Sequence, residues 1–207
     1  MVKPLDALNV MNAFRGQHGR PTHDAIHSRL QSVSFGSLQV AVTYASNPNN
    51  RGDVVIQPHV IEAHFRIERP LPLDAEDPFM DASLVLDLMG QDRGLELLLR
   101  HACHIYNTGK WDEEFAQVFD DVKDVAERAP QRLRELYLDA WTVLDDRDFV
   151  CVAKKMGFDG AAFGGTGASA LTTEYRVFSR EQISIVRVMD LTAARRYVSN
   201  MERAAAA

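Results

Sequence analysis

The sequence predicts an α+β protein, a single domain over residues 1–207. Apolar side chains alternate with period two near both ends of the chain. Helical spacing takes over in the middle, from about residue 75 to 149. Strands and helices are therefore grouped rather than alternating, which is the α+β order. The length of 207 residues suits one domain with a large insertion, and a hydrophobic fraction of 46% is enough for a sizeable core.

The first block covers residues 8–73. Its apolar run "VMNAF" stops at Arg15-Gly16, and a loop rich in His, Arg and Gly follows. In "SVSFGSLQVAVTYAS", Gly36-Ser37 caps a short helix over 38–45. "NPNNRGD" reads as a turn. In "VVIQPHVIEAHFRIERPL", Val60, Glu62, His64 and Arg66 alternate with Ile61, Ala63, Phe65 and Ile67, as in a strand that Pro70 and Pro72 end.

The second block is helical. "DASLVLDLM" and "RGLELLLRHACHIY" carry apolar residues at helical spacing. So does "WDEEFAQVFDDVKDVAERA", through Trp111, Phe115, Val118, Phe119, Val122 and Val125. "PQRLRELYLDAWTVL" starts with Pro130 where the first turn of a helix tolerates proline. The third block opens with a helix, "RDFVCVAKKMGFDG", ending at Gly157. "FDGAAF" is then a short buried strand, "GGTGASALTT" a loop, "EYRVFS" a strand closed by "REQI", and "ISIVRVMDL" one more strand. The tail "RAAAA" is set aside from the fold reading.

Net charge is −6 and no basic stripe is present, so no nucleic-acid partner is expected. No apolar run is long enough to span a membrane, and Asp6 interrupts what a signal peptide would need. The expected location is the cytoplasm of the producing cell, or a host cell reached without a cleaved signal. Two cysteines without C-x-x-C argue against a disulfide framework or a zinc site and suit a reducing compartment. Cys151 reads as core. The pairs His23/His27 and His101/His104 have metal-like spacing but lie outside any H-E-x-x-H, so surface histidines are expected. The acidic stretches "DEEF", "FDDVKD" and "LDDRD" read as solvated helix faces.

Five stretches in order carry a resemblance: "FRGQHG" at 14–19, "FGSLQVAVTYA" at 35–45, "FRIERPLPL" at 65–73, "MGFDGAAF" at 156–163 and "EYRVFSREQI" at 174–183. Together they resemble the pieces of ADP-ribosyltransferases of the bacterial, phage and mobile-element kind. "EYRVF" is also similar to the catalytic-glutamate strand of poly-ADP-ribosyltransferases. The resemblance covers the first and third blocks and not the helical block in detail. It implies a split β-sheet core, with residues from about 75 to 149 inserted as a helical unit for target recognition. It also implies NAD as co-substrate and a protein target, unnamed by the sequence, that a toxin, effector or phage-borne inhibitor would modify. An NAD glycohydrolase and a non-catalytic binding protein on the same fold are the alternatives.

Transfer of ADP-ribose breaks the bond between nicotinamide and ribose through an oxocarbenium-like transition state, as in glycoside cleavage. A carboxylate beside the ribose holds a hydroxyl and offsets the developing positive charge. The resemblance gives that role to Glu174, where the alternative is a solvent-facing strand-end glutamate. It places Phe14, Arg15 and Gly16 at NAD. Arg15 supplies a permanently charged fork of donors, and Gly16 admits close backbone approach. The alternative for Arg15-Gly16 is a plain turn, and His18 replaces Arg15 if the register shifts. Ser34, Phe35, Gly36 and Ser37 read as a turn before a helix that lies near the cofactor by the same resemblance, with Ser37 either bonding a ribose hydroxyl or capping its helix. Tyr44 either stacks on nicotinamide or belongs to the core. Gly165, Thr166 and Thr172 lie in the loop that meets the target. Arginine-modifying members carry an acid or glutamine where this chain has Thr172, so the acceptor side chain stays open.

Overall fold

The computed structural model describes residues 5–19, 26, 30–47, 57–106 and 113–205. "NPNNRGD", from residue 48 on, and the pair His23/His27 lie outside the described residues.

The chain is mixed α and β, with small antiparallel sheets. Strand β1 (Leu8–Gln17) runs through Arg15 and Gly16 instead of stopping there. It pairs antiparallel with β3 (His59–Ile67), which pairs antiparallel with β8 (Ile183–Asp190), so the first sheet has the order β1-β3-β8. A bulge between Val10 and Ala13, with Asn12 at φ 56°, shifts the register of β1 before Arg15. The second sheet, also antiparallel, has the order β2 (Val33–Phe35), β7 (Thr173–Val177), β6 (Gly160–Gly164).

The two sheets meet at two seams. Phe14 and Gly36 exchange backbone hydrogen bonds of 2.9 Å each. At the other seam the Asp159 carboxylate accepts from the Glu68 and Arg69 amides at 3.0 and 2.9 Å, and from Gln182 Nε2 at 3.1 Å. Val10, Ala13, Val33, Phe35, Ile61, Phe65, Ile67 and Val177, drawn from both sheets, form one apolar cluster. Helix α1 (Leu38–Ser46) starts at Ser37, whose side chain accepts from the Val40 amide as the sequence predicts.

The helical block comprises α2 (Ala82–Met89), α3 (Gln91–Arg100), α4 (Ala102–Tyr106), α5 (Glu113–Val118), α6 (Val122–Arg128) and α7 (Ala140–Asp145). It differs from expectation twice. "PQRLRELYLDAWTVL" is not one helix. It is a 3₁₀ turn over Pro130–Glu135, then β5 (Tyr137–Asp139), then α7. Strand β4 (Phe79–Asp81) takes up the backbone groups of β5, and the Phe79 and Tyr137 rings pack at 5.3 Å, so tertiary pairing overrides local helix preference. The single periodic stretch after Trp111 splits into α5 and α6, because Asp121 leaves helical geometry to accept from the Asp124 amide at 2.8 Å.

Helix α8 (Arg147–Lys155) exits at Gly157, φ 88°, which leads into the wholly buried β6. The sequence assigns no element to 192–202, where α9 (Leu191–Ala205) packs Ala194 and Tyr197 over α1 and β1. No helix among the described residues is long and apolar enough to cross a membrane.

Candidate active site

The second sheet has two unlike faces. Phe35, Tyr175, Val177 and Val33 point into the cluster between the sheets. The opposite face carries Ser34, Glu174, Arg176 and Phe163. Ser34 lies across from Arg176, and Phe163 across from Glu174. Phe163 belongs to the core cluster of the helical block, so this face looks toward the helices.

Arg15 reaches this face from the first sheet. The Phe14–Gly36 bridge brings β1 alongside β2, and Arg15 Nη1 donates to Ser34 Oγ at 2.7 Å and to the Ser34 carbonyl at 3.1 Å. Arg15 Nε donates to Gln17 Oε1 at 3.3 Å. Beyond Ser34 lies Arg176, 5% exposed. Its Nη1 lies 3.6 Å from Glu174 Oε2, its Nη2 lies 3.1 Å from Asp145 Oδ1, and its guanidinium lies 5.6 Å from the Phe163 ring centroid. Glu174 is buried, and Ser169 donates its hydroxyl to Glu174 Oε1.

Arg176 thus stands between two carboxylates, and Arg15 reaches the same face through Ser34. Burial, followed by the charge of Arg176, lowers Arg15 to about 10. Burial lifts Asp145 above the ordinary carboxylate range; Arg176 and Arg15 oppose that shift and Glu174 adds to it. Tyr44, on the last turn of α1, is half exposed. Partial burial and then the charge of Glu174 push its phenol up. Glu174 therefore acts electrostatically on both Tyr44 and Asp145, and Asp145 also feels Arg15.

The predicted site residues divide. Arg15 and Glu174 meet on one face of the second sheet, and the charge of Glu174 reaches Tyr44 on α1. Tyr44 is exposed rather than core. Glu174 is not the solvent-facing glutamate of the alternative reading. Phe14 and Phe35 turn their rings into the core: Phe14 packs against Tyr197 at 6.5 Å and Phe35 against Phe65 at 4.9 Å. Gly36 makes the bridge to Phe14. Ser37 serves as helix cap. Gly16 has a role other than the one expected. A Cβ there would lie 2.1 Å from the Ala41 carbonyl oxygen, so the glycine lets α1 sit on β1. His18 bonds the Ala45 carbonyl at 3.1 Å, at the end of α1. Thr166, Thr172 and Gly165 tie the loop before β7. The Ser169 hydroxyl oxygen lies 2.8 Å from the Thr166 carbonyl, the Thr172 hydroxyl donates to the Ser169 carbonyl, and the Gly165 amide to the Thr172 carbonyl.

Sequence reasoning missed Ser169, Arg176 and Asp145. Arg176 was legible, because residues two apart on a strand share a face with Glu174. The expectation of a solvated "LDDRD" is wrong at its first two acids. Asp145 pairs with Arg176, and Asp146 is buried beneath Arg100 and His101. His101 and His104 each rest on a carboxylate, Asp146 at 3.0 Å and Asp139 at 3.1 Å, instead of standing free on the surface. With Trp141, Thr142, Asp145, Asp146 and Arg147 they line an open cavity of about 300 Å³. No metal-binding group of three or more His, Cys, Asp or Glu side chains occurs among the described residues.

The chain matches no protein-family model, no curated protein and no solved structure at a significant level.

Proposed function

We propose that the protein is an NAD-dependent mono-ADP-ribosyltransferase acting on a protein target, on an ADP-ribosyltransferase-like split β-sheet core. Two antiparallel three-stranded sheets that split around an apolar layer support the fold assignment. One observation carries the activity. Arg15, from the chain's first strand, bonds Ser34, which lies across the ladder from Arg176, and Arg176 pairs with Glu174 of the seventh strand, whose charge is felt by the half-exposed Tyr44.

In this reading Arg15 takes the ribose or pyrophosphate oxygens of NAD, for which a planar, charged donor fork is suited. Tyr44 presents its ring to nicotinamide. Glu174, fixed by the Ser169 hydroxyl, accepts a hydrogen bond from a ribose hydroxyl and stabilises the positive charge that grows at the anomeric carbon. Nicotinamide leaves with the electron pair of the glycosidic bond. A nucleophile of the target then bonds to the anomeric carbon and gives up its proton. The loop over 165–172 faces the target, and the helical block reads as its recognition surface. A toxin, an effector or a phage-borne inhibitor is the biological setting that fits.

The state of Thr172 favours a second reading, an NAD glycohydrolase. Its hydroxyl is spent on the Ser169 carbonyl at 2.6 Å, and no acid stands there to hold an acceptor. Water then takes the acceptor's place. The test is incubation of the protein with label-bearing NAD and a cell lysate. The expected result is label on protein with the native chain and none with Glu174→Ala at an unchanged melting temperature. Labelling by Glu174→Ala at the native rate would contradict the proposal.

A further inference from the structure

The helical block supplies the candidate site with an ionic support as well as a surface. We infer that Asp145 is a positioning residue, acting on Glu174 through Arg176. The inference rests on the transferase reading and assigns a role that the reading leaves out.

Arg176 is a buried cation, and such a group is stable only when its charge is met by partners. Its two terminal nitrogens are divided between Glu174 and Asp145, as ion-pair contacts at 3.6 and 3.1 Å, while neither its Nε nor Asp145 Oδ1 makes a hydrogen bond of good geometry among the described residues. The shorter contact belongs to Asp145. That division leaves Glu174 in reach of Arg176 without drawing it into a close, two-point pair, so its Oε2 stays available to a sugar hydroxyl. With Asp145 neutral, Arg15 and Arg176 would face a single carboxylate, and Glu174 would be pulled onto Arg176.

Asp145 is also held in place from both sides. It is the last residue of α7. The carbonyl of Leu144, one residue before, accepts a buried hydrogen bond of 3.0 Å from Ser32, next to β2. The Asp146 carboxylate, one residue after, caps α8 through the Asp148 and Phe149 amides. A carboxylate fixed on such a backbone sets the position of Arg176 without rearrangement of its own.

The experiment measures steady-state nicotinamide release, with cell lysate supplying the target, by the full chain and by Asp145→Asn, Asp145→Glu, Arg176→Met and the double variant Asp145→Asn/Arg176→Met, with thermal melts of each. Asp145→Asn is expected to lower kcat by about tenfold while the KM for NAD changes by less than about threefold, the pattern of a group that acts in the transition state and not in uniform binding. Asp145→Glu, which keeps the charge, is expected to recover most of that loss. The double variant is expected to be no slower than the slower single one, because the two changes break one coupled unit. Asp145→Asn at native kcat, or additive losses in the double variant, would overturn the inference and leave the transferase reading standing. A loss in Asp145→Glu as deep as in Asp145→Asn would overturn it too. A native chain that releases no nicotinamide would overturn both.

Discussion

Asp146 meets four donors at once. The Asp148 and Phe149 amides lie at 2.9 and 3.3 Å, Arg100 Nη1 at 2.6 Å and His101 Nε2 at 3.0 Å. Burial alone would raise its pKa. The bonds from His101, the Phe149 amide and Arg100 outweigh that, and the net shift is downward. Removing the side chain strands several of these donors and the cap of α8, so Asp146→Ala is expected to lose about 3 kcal/mol. The sign with pH follows from linkage. A carboxylate lowered in the folded state contributes stability that is fully present above its unfolded value, about 3.9. That contribution disappears as pH falls through the folded value. Urea unfolding at pH 7 and at pH 3 should therefore show the gap between native and variant chains narrowing in acid. A constant gap would contradict this account of Asp146. This residue also marks how far the sequence could be read. An acid three residues before Phe149 is a legible cap. That its neighbour Asp145 turns to Arg176 depends on where β7 lies, which no local pattern encodes.

At the scale of elements, the closest contact near the site is that of β1 with α1. A methyl group at Gly16 would collide with the Ala41 carbonyl at 2.1 Å and the Ala45 amide nitrogen at 2.7 Å, both backbone atoms that cannot turn aside. Gly16→Ala is expected to cost about 3 kcal/mol, at the upper end for overpacking, measured by chemical denaturation. It should also weaken NAD binding, because α1 carries Tyr44. A variant as stable as the native chain would show that the helix shifts freely. The loop over 165–172 makes a separate prediction. Leu171 is fully exposed with φ 66°, a conformation in which glycine is at ease, on a loop bound by its own hydrogen bonds next to Glu174. Leu171→Gly is expected to leave the melting temperature and nicotinamide release near native and to reduce labelling of the protein target. Equal labelling by both chains would remove Leu171 from target contact. Strand β7 and the cap of α1 were legible because their signals are local: alternation and a serine before an apolar run. The antiparallel pair of β4 and β5 was not, since its strands are three residues each and lie more than fifty residues apart. Helix α9 was not among the elements read from the sequence, and only its last residues lie in the tail "RAAAA".

At the scale of the molecule, the two sheets and the helical block all contribute to one cluster: Arg15 from the first sheet, Ser34, Glu174 and Arg176 from the second, and Asp145 from the helices. A ligand that bridges these parts should stabilise the whole fold. NAD at about a hundred times its dissociation constant adds about 2.7 kcal/mol to a protein that binds it only when folded. For a chain of this length that corresponds to a rise in melting temperature of roughly 5 °C or more. Arg15→Ala should abolish the rise, and an equal rise in that variant would place the dinucleotide elsewhere. The sequence indicated the two ends of this arrangement, Arg15 and Glu174, through motifs at either end of the chain. It did not indicate Asp145, because an ion pair between residues 145 and 176 leaves no periodic trace.

The most direct test of the central claim is an experimental structure with a non-hydrolysable NAD analogue bound. The account predicts the nicotinamide-side ribose with a hydroxyl within hydrogen-bond distance of Glu174, and ribose or pyrophosphate oxygens against Arg15. An analogue seated away from both side chains, or none bound at millimolar concentration, would contradict it.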